Sequence, residues 1–341
     1  MSIDTRIVLR AWYSVVASDY WRDVRRSEPL RVHSPKHNFW MDGFYDPGPV
    51  GDPECKPTVV FRGYLIDDPA KEVLDILRGG GMHSFRGSLD ASEDGLGTLP
   101  AQYAVYLREK AKEIAMLSSY AYHLLLWRFR IRSGPPNLEI DPTFLFWAEF
   151  PSEAAKLPVG NLNWRQVRSG ATWLGTPDAD PLDLRPAVGE TVTSLIEQGI
   201  ESPLGHELLR EAWRIRESNR RSALVMGIAA IETGVKEFIT QVAPQTAWLL
   251  RNVPSPPLHK ILRDYLPTLT SAAAGYVKVP PLPKEWRGTF HDAVELRNNI
   301  VHGRTVGADD QLIENLLRTA YEFLYFLDYH GGHEWAKGKS A

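Results

Sequence analysis

The chain has 341 residues, with 39 Lys and Arg against 42 Asp and Glu, a formal net charge of −3. That balance excludes a uniformly basic nucleic-acid binder, although a pocket for RNA needs only a few local cations. The length and a hydrophobic content of 43% suit two globular domains, and the lone cysteine, Cys55, excludes an intrachain disulfide and a cysteine-cluster zinc site.

The N-terminal half reads as mixed and rich in β structure. Residues 6–16 and 58–66 are dense in β-branched and aromatic side chains, as strands are. The apolar part of the first run is interrupted by Arg10, and no cleavage-site pattern follows. Neither a signal peptide nor a transmembrane span is expected, and the expected location is the cytoplasm. Tyr20, Trp21, Arg22, Arg25 and Arg26 read as a half-buried aromatic pair beside a solvated basic face. Phe39, Trp40, Phe44 and Tyr45 read as core or pocket wall. Residues 87–100 form a loop rich in Gly, Ser and Asp. Helical spacing over 101–117 places Val105, Leu107, Ala111, Ile114 and Leu117 together. Residues 120–131 either extend that helix or begin a strand, with alternation near Trp127, Phe129 and Ile131 favouring the strand, and 144–150 is a further short aromatic strand.

Composition shifts at 176–186, which is rich in Pro and Asp and has no apolar period. A linker is expected there, between a domain at 1–180 and another at 190–335. Beyond it the pattern is helical. Ser202-Pro203 opens one helix, with proline in its first turn. A polar-rich stripe covers 206–218, and 222–239 is apolar nearly all round, through Ala223, Leu224, Met226, Ile228, Ala230, Ile231 and Val235. Such a helix needs cover on more than one side, from a bundle or a second subunit. Shorter helices are expected at 245–251 and 257–266, and the prolines at 280, 281 and 283 break the chain. Residues 284–301 carry an inward stripe of Trp286, Phe290, Ala293, Val294 and Ile300. Asp309 starts a last helix to about 327, and Gly331-Gly332 stops it. Asp328, His330, His333 and Glu334 follow and read as a solvated tail rather than a metal site. The fold class is therefore α+β, a β-rich mixed domain followed by an all-α bundle.

The stretch Glu295-Leu296-Arg297-Asn298-Asn299-Ile300-Val301-His302-Gly303-Arg304 carries chemistry. Arginine clamps a phosphate with paired donors. Histidine exchanges a proton near neutral pH, and the amide between them orients either the histidine or the phosphate. Spacing alone is weak support. Arg78 and His83 stand equally far apart, but three glycines between them leave nothing to hold a pair in register. Five positions on a helix turn a side chain by about 140°. Arg297 and His302 converge if the helix ends at His302, with Gly303 as terminator, or if two chains each supply half of a cleft. A histidine in the last turn also sits beside the negative end of the helix dipole.

The apolar helix over 223–239, a break, and a helix ending Leu-Arg-Asn-Asn-Ile-Val-His-Gly together resemble a HEPN domain. Its signature is an arginine, a polar residue and, three or more residues on, a histidine, matched here by Arg297, Asn298 and His302. The resemblance covers roughly 190–335 and does not reach the N-terminal half. It implies a helical bundle that dimerises so that two motifs face each other. It also implies RNA cleavage without metal or cofactor, leaving a 2′,3′-cyclic phosphate and a 5′-hydroxyl. His302 would be the general acid/base, Arg297 the clamp on the phosphorane and Asn298 the orienting amide. Glu232 would pair with Arg297, and Arg304 would add charge for RNA. Some such domains bind nucleotides or partners without cleaving, so a non-catalytic dimerisation or ligand-binding module is the alternative. Prokaryotic proteins of this build resemble toxins or anti-phage, abortive-infection effectors. The N-terminal half would then sense a trigger or restrain the nuclease. The partners implied are RNA, a second copy and an unknown trigger or antitoxin, with no membrane.

Overall fold

The computed structural model describes residues 6–16, 30–46, 58–79, 100–132, 138–139, 145–150, 162, 164–166, 186–252, 257–302 and 310–337. Contacts divide the chain into two compact units, 1–125 with 135–201, and 126–134 with 202–341. Strands lie in the first, and the second is helical, so the chain is α+β. The linker region up to residue 185, the Tyr20–Arg26 cluster, the loop at 87–99, Cys55, His83, Arg304 and Asp309 lie outside the described residues.

In the first unit, β1 (Arg6–Val16), β2 (Leu30–Ser34), β3 (Phe39–Asp46), β4 (Thr58–Asp67), β5 (Phe146–Phe150) and β6 (Arg165–Gln166) form an antiparallel sheet. Its order is β2-β3-β4-β1-β5-β6. β1 pairs with β4 from Ile7↔Asp67 to Val16↔Thr58, and with β5 along its other edge. The two-residue period of a strand puts Ile7, Leu9, Ala11 and Tyr13 on one buried face. Helix α2 (Ala101–Arg128) lies there, so close that a Cβ on Gly63 would meet Ser118 and Ile114.

The strand favoured within 120–131 is absent, because α2 continues to Arg128. Ala121, Tyr122, Leu124 and Leu125 are buried at helical spacing, and that burial outweighs the short alternation after them. The alternating residues instead cover a helix stop. Arg130 adopts φ +58°, its N–H bonds the Trp127 carbonyl at 3.1 Å, and the Ile131 N–H reaches back to Leu126 at 2.9 Å. That is a Schellman stop with arginine in the place usually held by glycine.

On the opposite sheet face, Arg62 donates to both Asp42 oxygens at 2.7 and 2.8 Å, and Tyr64 donates at 3.0 Å. Arg10 lies over the Trp164 ring at 4.0 Å, and burial pulls its guanidinium down to about 10 against the opposing pull of Tyr64 and Asp42. Phe39 is core, while Trp40 stacks on His33 at 4.5 Å. Short helix α1 (Lys71–Arg78) follows β4. Helix α3 (Pro186–Glu197) belongs to this unit and covers the edge strand β2. There Gly189 lies against the Arg31 backbone, and the His33 N–H donates to Thr193 at 3.1 Å. Covering an edge removes a template for pairing with other chains.

The second unit holds α4 (Leu204–Ile215), α5 (Arg220–Val242), α6 (Ala247–Asn252), α7 (Leu258–Lys260), α8 (Lys284–Val301) and α9 (Asp310–His330). A π turn (Ile261–Tyr265) and a 3-10 turn (Leu266–Thr268) continue α7. Asn219 caps α5 by accepting from the Ser222 N–H at 3.1 Å. The first turn of α4 is held by α5. Glu237 accepts from the Leu204 and Gly205 N–H groups at 2.8 and 3.2 Å. Burial raises the Glu237 pKa, and these backbone bonds oppose the rise.

The nearly apolar stretch of α5 over 222–239 is covered in large part by its own chain. Gly205 of α4 sits on the backbones of Ala230 and Gly234, while Gly227 and Gly234 accept Leu317 and Leu324 of α9. Val225 of α5 remains 39% exposed. Of the residues read as a solvated tail, Glu334 is exposed, Asp328 and His333 are half-buried, and His330 is buried. Asp328 accepts from Trp127 Nε1 and faces His206 Nε2, each at 2.8 Å. His330 is 2% exposed and its Nδ1 meets Ser271 Oγ at 2.7 Å. Asp328 and His330 belong to the last turn of α9, which runs past the end expected near 327, and the turn at Gly331 and Gly332, the latter at φ +104°, follows them. No group of three or more His, Cys, Asp or Glu among the described residues is placed to hold a metal. No helix among them is long and apolar enough to cross a membrane.

Candidate functional site

Helix α8 follows the proline-rich break, with Pro283 at its N-cap and Glu285 in its first turn, where a negative charge complements the dipole. Phe290 and Ala293 anchor it in the bundle. Trp286 meets Phe323 and Phe326 edge-on at 6.4 and 6.1 Å, which sets its rotation against α9. The helix ends at His302, whose N–H bonds the Asn298 carbonyl at 3.0 Å with φ −85° and ψ 14°.

That rotation points a second stripe of α8 at a cavity of about 500 Å³. Arg287, His291, Val294 and Asn298 recur at spacings of four, three and four, and Arg297 flanks the last of them. Across the cavity stand Glu232 of α5 with His259, Leu262 and Arg263 from α7 and its π turn. Arg297 Nη2 donates to Glu232 Oε1 at 3.0 Å, with the two side chains 23% and 18% exposed. A pair in that half-covered setting is screened less than a surface pair, and it fixes where the guanidinium points. Arg263 forms a paired contact with Asp264 at 2.7 and 2.8 Å. Arg287 has no ion-pair partner among the described residues, and the buried Nε atoms of Arg287 and Arg297 have no hydrogen-bond partner there.

Glu232, Arg297 and Asn298 are thus brought to one cavity. His302 is exposed at the end of α8 and stands outside the lining of that cavity. Arg304 lies outside the described residues. Sequence reasoning missed Arg287, His291, His259 and Arg263. The first two were within reach of it, because they sit on the Asn298 stripe about three and two turns upstream. His259 and Arg263 reach the cavity through a fold that α8 alone does not encode.

Chemically, the cavity offers arginine donors, an amide and two imidazoles around an apolar floor of Leu258, Leu262 and Phe290. Arginine forks match the geometry of carboxylates and phosphates, so the cavity has donors for an anionic group beside apolar walls. The chain matches no known family model, no curated protein and no solved structure.

Proposed function

We propose that the chain is a metal-independent endoribonuclease of the HEPN type. The observation that carries this reading is the Glu232–Arg297 pair at 3.0 Å, beside Asn298 on a cavity, with an exposed His302 one turn beyond Asn298. In this reading the RNA 2′-oxygen attacks the adjacent phosphorus while a base takes its proton. The bond from phosphorus to the 5′-oxygen breaks, and an acid delivers a proton to that oxygen. The products are a 2′,3′-cyclic phosphate and a 5′-hydroxyl. Arg297 neutralises the charge gathering on the phosphorane. His302 moves the proton, and Asn298 holds the phosphate or the imidazole in line. Because His302 lies outside the lining of its own chain's cavity, in this reading two copies meet at the end of α8 and each completes the other's site. RNA is then the substrate and a second copy the partner, and the cellular role is that of a toxin or anti-phage effector under a trigger.

One observation favours a second reading, a non-catalytic ligand-binding or dimerisation module: within one chain the cavity holds Arg297 but not His302. Incubation of the purified protein with mixed-sequence RNA, with and without EDTA, separates the two. Cutting that survives EDTA and disappears in Arg297→Ala and His302→Ala is the expected result. Intact RNA from the wild type at every protein concentration supports the binding module.

A further inference from the structure

Arg287 precedes Arg297 by ten residues on α8, a rise of about 15 Å along the helix. Both line one cavity, so the cavity runs along the helix rather than into it. A phosphate clamped at Arg297 leaves Arg287 to meet a different one. The charges around the cavity point the same way. Arg297 is partnered by Glu232 and Arg263 by Asp264, while Arg287 has no carboxylate partner among the described residues. Its Nε is buried without a hydrogen-bond partner among them, a donor whose desolvation an incoming anion would offset. Between the two arginines lie Phe290 and Val294, opposite Leu258 and Leu262. That apolar wall suits the face of a base which has left its stack.

The geometry points to Arg287 as a second phosphate subsite, and so to unpaired RNA as the substrate class. The inference rests on the ribonuclease reading for the identity of its ligand. Arg287 holds a backbone phosphate beside the scissile one, and the base between them lies on Val294, above the buried Phe290. A cavity of about 500 Å³ is on the scale of a single small ligand. A paired base stays in its stack, out of reach of that wall. Arg287 is therefore a positioning residue, since it holds the strand in register and leaves the chemistry to Arg297 and His302.

The test uses the full chain carrying His302→Ala, so that RNA is held without being cut. Fluorescence anisotropy follows a short labelled single strand, and the same sequence as a duplex, across a salt series. The single strand is expected to bind at least about tenfold tighter than the duplex. Adding Arg287→Met weakens single-strand binding by about tenfold and lowers the salt slope by about one, as loss of one phosphate contact does. Arg287→Lys restores most of both. Val294→Trp keeps every arginine, fills the base wall and also weakens binding, which covers the case that Arg287→Met fails to fold. In the cutting chain, Arg287→Met raises KM and leaves kcat within about twofold. The inference is overturned if Arg287→Met and Val294→Trp bind the single strand as tightly as their parent, if duplex binds equally well, or if neither RNA binds. Loss of cutting in the wild type, with Arg287-dependent binding intact, defeats the ribonuclease reading and leaves the subsite standing.

Discussion

Two residues bear on Arg297 in the ribonuclease reading. Glu232 holds it from α5, and His302 stands beyond it at the end of α8. Glu232→Gln keeps the shape and removes the charge that orients the guanidinium. Cutting is expected to fall about tenfold, against about a hundredfold or more for Arg297→Ala, when initial rates on one labelled RNA are compared. Equal rates in Glu232→Gln and wild type would show that the pair has no positioning role. His330 makes a separate prediction about stability. Burial beside Ser271 lowers its pKa to about 4, from an ordinary value near 6.5. Between those values the unfolded chain takes up a proton that the folded chain refuses. The contribution is complete above about pH 6.5 and is lost as the pH falls toward 4. Thermal unfolding across that window should show a smaller change of Tm with pH in His330→Asn than in the wild type.

The elements that carry the site are those with the strongest sequence signals. Helix α8 runs over 284–301 as its stripe and its flanking prolines indicate, because Phe290 and Ala293 are needed in the core and Pro283 can only begin a helix. The reading stopped short at α2. A two-residue alternation at Trp127, Phe129 and Ile131 is the same pattern whether a strand or a helix stop produces it. Only the bonds of Arg130 and Ile131 back to Trp127 and Leu126 tell them apart. Strands β2 and β3 were not read as strands, since their pairing depends on β4 across the sheet rather than on their own composition. The apolar girth of α5 was legible, but its cause was not. Gly205, Gly227 and Gly234 let α4 and α9 approach closely, a contact no local pattern displays. Gly205→Ala would drive a methyl group against the backbones of Ala230 and Gly234, which cannot give way as a side chain would. Loss of about 1–3 kcal/mol is expected, read as a lower denaturant midpoint at unchanged m.

At the scale of the molecule, the α+β division was legible from composition, with strands first and helices after. The cavity was legible only in part. Arg297 and Asn298 lie within the motif, whereas His259 and Arg263 arrive through α7 and its π turn. The ribonuclease reading needs two copies, since one chain's cavity holds Arg297 without His302. Sedimentation at micromolar concentration should therefore show a dimer. Mixing Arg297→Ala with His302→Ala chains should restore part of the cutting that each has lost, because mixed dimers hold one intact composite site. Monomers at every concentration, together with active protein, would remove the shared-site argument.

The most direct measurement is the cutting of labelled RNA by the purified chain in EDTA, with the ends of the fragments mapped. The account predicts fragments ending in 2′,3′-cyclic phosphate and 5′-hydroxyl from the wild type, and none from His302→Ala. Fragments of the same kind and amount from both proteins, or cutting that stops when EDTA is added, would contradict it.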